Sequence, residues 1–191
     1  MSNQNKEKKG ANKKDDFKIN FWNSIKAKIL LLVFGAILLT VLLNLWTVIP
    51  RVSSNISDIT SNYIVDIATV AGEGIDNEIR MSSYDSIMTT GNLKRLIGNV
   101  AIKNVDGSYS YIVDADGTML YHPTAEKIGK SVENAVVKEV VAKLKSGDRP
   151  KPEVIEYTFN GQKKYAGIYV GKNKEFVMVV NAEKTEIMSG L

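Results

Sequence analysis

At 191 residues, with no cysteine and one histidine, the chain can hold no disulfide, thiolate metal site, cysteine nucleophile or multi-histidine zinc site. Its formal charge of +4 is laid out unevenly: residues 1–28 carry eight lysines against three acids, whereas residues 51–191 hold 17 basic and 18 acidic side chains. A nucleic-acid-binding domain would carry its basic surface on the folded part, so this layout excludes that reading and assigns the positive charge to a leading tail.

Residues 1–24 are expected to form a disordered, basic, cytoplasmic tail, since their Lys- and Asn-rich sequence has too few apolar groups to offset the entropy of ordering. From Ile29 to Ile49 the sequence then runs without a charge to Pro50 and Arg51. A bilayer core of about 30 Å needs roughly 20 apolar helical residues, so residues 25–49 read as a transmembrane helix. Thr40, Asn44 and Thr47 can bond back to their own helix, and Trp22 and Trp46 lie near its ends, where indoles favour headgroups. A cleaved signal peptide would have a shorter apolar run of about 7–15 residues and a small-x-small site after it, which IPRVSSN does not provide. The lysines before the span place the N-terminus inside the cell and residues 50–191 outside.

After Arg51, Ile56, Ile59, Tyr63, Ile67, Val70, Ile75 and Ile79 follow a helical period with a slip near Gly72 and Gly74. A helix of about 30 residues would be about 45 Å long. It serves as a stalk that packs on a core, with a dimer seam as the alternative use of the same stripe. Residues 82–104 suggest two short helical pieces, the second with Asn92 as its N-cap and with solvated Lys94 and Arg95.

From Tyr109 the period becomes two. Strands are expected at 108–113, 118–122, 153–159, 163–170 and 175–181, with hairpin signals at 114–117, Asn160-Gly161 and 171–174. Between them, VENAVVKEVVAKLKSG places Val132, Val136, Val137, Val140, Val141 and Leu144 on one helical side and stops at Gly147. The fold class is α+β: a transmembrane helix leading into a long helix packed on an antiparallel sheet, in one domain at 50–191.

Few residues carry chemistry. Asp114-x-Asp116-Gly117 lacks the later ligands of a calcium loop and reads as a hairpin turn; Asn55-Ile56-Ser57 fits a glycosylation sequon that chance explains. No nucleophile with its base and no metal cluster is visible, so the chain reads as no enzyme and calls for no cofactor. The candidate ligand-binding residues are Tyr111, Tyr121, His122, Tyr165 and Tyr169. Tyr165 and Tyr169 share a strand face with Gly167 between them, and a glycine between two rings leaves space for a small molecule. A void beside Gly167 separates this reading from a membrane-tethered interaction module with a filled core.

VDADGTMLYHPTAEKIGKSV, through Val113, Asp114, Gly117, His122, Pro123, Ile128, Gly129, Lys130 and Ser131, resembles the Cache family of extracytoplasmic sensor domains. EYTFNGQKKYAGIYV and EFVMVVNAEKTEI are similar to that family's closing strands, so the resemblance covers about residues 50–188. It implies a PAS-like single-Cache fold with a small-molecule pocket on the membrane-distal part of the sheet. It also implies a homodimer in which ligand, an amino acid or small carboxylate among the options, shifts the stalk helix. Such domains serve methyl-accepting chemotaxis proteins, and less often histidine kinases or cyclic-dinucleotide enzymes. Those receptors continue into a second span and a HAMP linker where this chain reaches Ser189-Gly190-Leu191, so the expectation is a sensory portion or a truncated reading frame.

Overall fold

The computed structural model describes residues 24–189, so the expected tail at 1–24 lies almost wholly outside the described residues. The chain divides into two units, Met1–Arg51 and Val52–Leu191.

In the first unit, helix α1, which runs over Ile25–Met81, begins. Apolar side chains are exposed all round it, Leu32, Phe34 and Trp46 among them. Ile25–Val52 is long and apolar enough to cross a membrane. The three polar residues bond back as expected: Thr40 Oγ1 donates to the Ala36 carbonyl, Asn44 Nδ2 to that of Thr40 and Thr47 Oγ1 to that of Leu43, each at 2.8 Å. Each of the three polar side chains in the run thus donates to a carbonyl of its own helix, as an apolar surrounding favours. Pro50 lies inside α1 rather than at its end, and Gly72 and Gly74 do not interrupt it.

In the second unit, α1 buries Thr60, Ile64, Ala68 and Ile75, one stripe at steps of four and seven. Two short helices follow, α2 (Tyr84–Ile87) and α3 (Thr90–Ile97). The N-cap of α3 is Thr89, whose hydroxyl accepts the Asn92 amide, whereas the Asn92 side chain donates to the Ser86 carbonyl at 2.9 Å. Asn92 therefore ties α3 to α2 and does not cap it.

The strands are β1 (Tyr109–Asp114), β2 (Met119–Tyr121), β3 (Glu153–Phe159), β4 (Gln162–Val170) and β5 (Phe176–Glu183). They form one antiparallel sheet in the order β2-β1-β5-β4-β3, and α5 (Lys184–Ser189) leaves β5 directly. The expected α+β architecture is borne out. The β1–β2 hairpin is closed by Asp114, whose Oδ1 accepts the amides of Asp116 at 2.9 Å and Thr118 at 2.8 Å, while Asp116 pairs with Lys145. The Asp-x-Asp-Gly run is thus a turn, with Gly117 at the positive φ the turn needs.

Alternation gives the sheet two buried faces. Ile112, Tyr165, Tyr169, Phe176, Met178 and Val180 pack against α1 and α3. Tyr111, Val113, Ala166, Ile168, Val177 and Val179 pack against α4 (Ala135–Lys145), which contributes Val137, Val140, Val141 and Leu144. Helix α4 starts three residues later than its valine pattern suggests, because Asn134 caps it by accepting the Val136 amide at 3.0 Å.

Candidate functional site

On the α4 face a cavity of about 270 Å³ lies between the sheet and the segment that follows β2. Its sheet side is made by Tyr109 and Tyr111 on β1 and by Tyr157 and Phe159 on β3. These strands are not neighbours; β5 and β4 run between them, and the small Ala166 lets the Tyr157 hydroxyl reach Asn181 on β5, donating to Oδ1 at 2.8 Å. The far wall is residues 122–134. Pro123 has no amide for a ladder and disfavours helix in the residue before it, so β2 stops at Tyr121 and the chain turns away.

The wall is pinned at both ends. Past a single 3₁₀ turn (Ala125–Lys127) the chain returns beside β2, where the Gly129 amide donates to the Met119 carbonyl, the Met119 amide to that of Lys130 and the Val132 amide to that of Gly117, each at 2.8 Å. Gly129 takes a φ of +78°, which lets the segment double back. At the other end Nδ1 of His122 accepts the Thr124 amide at 2.9 Å. A ring nitrogen that accepts a bond carries no proton, so His122 is the neutral tautomer with its proton on Nε2.

The base of the cavity is buried and offers mainly donors. Tyr111, His122 and Asn134 are each less than 10% exposed. The acceptors around them are engaged: Asn134 Oδ1 by the Val136 amide, His122 Nδ1 by the Thr124 amide and Asn181 Oδ1 by Tyr157. The groups left without an acceptor among the described residues are donors: the Tyr111 hydroxyl, whose oxygen accepts from Asn134 Nδ2 at 3.4 Å, the second Asn134 N–H and the His122 Nε2–H. Burial raises the Tyr111 pKa, so the phenol keeps its proton; burial, followed by the charge of Lys127, lowers that of His122 and keeps it neutral. At the rim the Lys127 ammonium lies 3.3 Å from Glu133 and 5.8 Å from the Phe159 ring centre, with Glu126 and Lys130 alongside. A neutral, donor-rich base below a half-exposed cation suits a small molecule whose buried end accepts hydrogen bonds.

Of the five residues expected to line a pocket, the structure brings together two, Tyr111 and His122. Their rings are 5.6 Å apart, with that of Tyr109 5.2 Å from His122. Tyr121, Tyr165 and Tyr169 lie on the α1 face instead and do not line the cavity. For Tyr121 the reason is the irregular register of the β1–β2 pair, which sets Ile112 opposite Tyr121 and Val113 opposite Met119 and so breaks the alternation that would otherwise put Tyr121 on the face of Met119. For Tyr165 and Tyr169 the reason is Gly167. A Cβ there would stand 2.5 Å from Ile64 Cγ2 and 2.7 Å from the Ile64 carbonyl oxygen, so the expected space beside Gly167 is filled by α1. The residues missed were Tyr109, Tyr157, Phe159 and Asn134. Tyr109 carried a signal, since it shares the face of Tyr111, but pairing β3 with β1 across two strands required the sheet order.

No family model and no curated protein matches the sequence. Among solved structures, a Cache chemosensory domain described for carboxylic acid recognition aligns at 17% identity and TM-score 0.49, over 70% of this chain and 97% of that one. The periplasmic sensory domain of the Campylobacter jejuni chemoreceptor Tlp1 aligns at 21% identity and TM-score 0.43 over 53% of this chain, and the ligand-binding domain of Mlp24 with asparagine at 14% and 0.38 over 52%. This chain spans 37% and 38% of the length of the latter two. The solved structures that the chain resembles include Cache and chemoreceptor sensor domains.

Proposed function

We propose that the second unit is an extracytoplasmic sensor domain that binds a small carboxylate, a simple organic acid or an amino acid, in the cavity between β1, β3 and residues 122–134. One observation carries this reading: the buried base keeps donors from Tyr111, Asn134 and His122 and has its acceptors already engaged. A carboxylate there accepts from those donors, with Lys127 near the mouth to balance its charge, while its remainder lies against Met119, Val132 and the aromatic side chains. The apolar run at 25–49 would anchor the domain, and the lysines before it favour a cytoplasmic N-terminus.

Helix α1 also carries exposed Tyr63 and Val70 beside a shallow apolar groove with Ile67 and Val100, a surface suited to a second copy of the chain. Ligand binding would bias two arrangements of α1 in such a dimer, because only a ligand with unequal affinity for the two can shift them. The reading is tested by thermal melting of the full chain in detergent against a panel of short carboxylates and amino acids. A ligand at one hundred times its Kd stabilises by about 2.7 kcal/mol, a shift of several degrees. A flat response across the panel would overturn it.

A further inference from the structure

We infer that an anion seated in this cavity draws a proton onto His122, so that the chain responds more strongly to a carboxylate as the medium acidifies. The inference rests on the ligand reading above and adds its regulation. His122 is the chain's one histidine, and of the side-chain types present only imidazole ordinarily changes charge between about pH 5 and 8. Any proton taken up on binding in that interval therefore has one natural destination.

The cavity that holds the ring is lined from four elements. Strand β1 presents Tyr109 and Tyr111, the wall presents Glu126, Lys127, Lys130 and Glu133, the α4 cap presents Asn134 and β3 presents Tyr157. In the free cavity, burial and Lys127 both oppose a charge on the ring. A carboxylate accepting from Nε2–H reverses the balance. It places a negative charge in contact with the imidazole where water is excluded, and it offsets Lys127. The second proton then enters at Nδ1, the nitrogen that now accepts the Thr124 amide at 2.9 Å. Two N–H groups cannot share that contact, so Thr124 turns away. Thr124 sits at the Pro123 corner, between the end of β2 and the 3₁₀ turn, and its amide takes part in no ladder. Between the histidine pKa of the free cavity and that of the occupied one, affinity rises by up to about tenfold for each unit of falling pH.

The test is an NMR titration of the full chain in detergent, labelled with 13C at histidine Cε1, which gives one signal. Acetate and pyruvate are the probes, and Kd for each is measured from pH 8 to 5. The expected result is a titration midpoint below about 6.5 without probe and a higher midpoint with it, accompanied by a severalfold tighter Kd per unit of falling pH. His122→Gln should flatten that dependence. Lys127→Gln, a substitution at a half-exposed side chain, should raise the midpoint of the free protein and shrink the probe-induced rise. If a probe perturbs the histidine signal while the titration midpoint stays at its probe-free value and Kd does not vary with pH, the proton coupling is overturned and the ligand reading stands. If neither these probes nor the wider panel binds, both fall.

Discussion

The Tyr169 hydroxyl donates to Asp76 Oδ2 at 2.5 Å, and both oxygens of that carboxylate accept the Lys172 amide at 3.2 Å. One side chain of α1 thereby holds the end of β4 and the turn that follows it. The ring fits because Gly72 leaves a notch, since a Cβ on Gly72 would stand 2.1 Å from Tyr169 Cδ1. Burial and the Asp76 bond both raise the Tyr169 pKa, so the phenol stays a donor. Tyr169→Phe removes a charge-assisted bond and should cost about 1–3 kcal/mol in chemical denaturation, whereas Gly72→Ala should cost more because the whole ring must move. Equal stability of Tyr169→Phe and the parent would show that the bond contributes nothing.

Gly167 makes the matching contact from the sheet side. Gly167→Ala would drive a methyl group into the Ile64 side chain and backbone, and the backbone cannot yield as a side-chain tip can. A loss of about 1–3 kcal/mol follows from such overpacking. The measurement is the urea midpoint of the full chain in detergent. A gain in stability, the usual result of glycine replacement at an open site, would mean that α1 does not sit on β4 in this way.

His122 should also make stability depend on pH. Its folded pKa lies below the ordinary histidine value because burial, and then Lys127, disfavour the charged ring. As pH falls through about 6.5 the unfolded chain takes the proton first, so the stability present above that pH is lost below it. Melting temperatures recorded from pH 8 to 5 should therefore decline more for the parent than for His122→Gln. Parallel curves for the two proteins would contradict the depressed pKa.

Within the cavity, Tyr111→Phe keeps the ring and deletes one donor. For the carboxylate that raises the melting temperature most, we expect affinity to fall by about 5- to 30-fold, the equivalent of about 1–2 kcal/mol. Tyr165→Phe, on the opposite face, should leave that affinity unchanged. A reversed pattern would place the site on the α1 face.

Orientation can be read directly because the chain has no cysteine of its own. Lys172 is exposed on the β4–β5 turn, so Lys172→Cys should react with a membrane-impermeant maleimide in intact cells. Reaction only after lysis would put the sheet in the cytosol.

The order of elements was legible because it depends on local periodicity. The uncharged run at 29–49, the strand at 153–159 and the Asn160-Gly161 turn each follow from a few adjacent residues, and all five strands fall within a few residues of their expected bounds. The polar side chains of the apolar run, with their bonds to carbonyls one turn back, were also determined locally.

What faces what was decided only by the tertiary structure. Tyr165, Gly167 and Tyr169 read as a ligand notch, yet a glycine leaves the same space for a helix as for a ligand, and only the packed fold shows Ile64 occupying it. The cavity formed instead where β1 and β3, separated by two strands, present Tyr111 and Tyr157 on one face under a wall bent away by Pro123. Sequence alternation fixes which residues of a strand lie together, but not which of the sheet's two sides a helix will fill. That choice belongs to contacts between segments about a hundred residues apart, such as Ile64 with Gly167, and no local pattern records it.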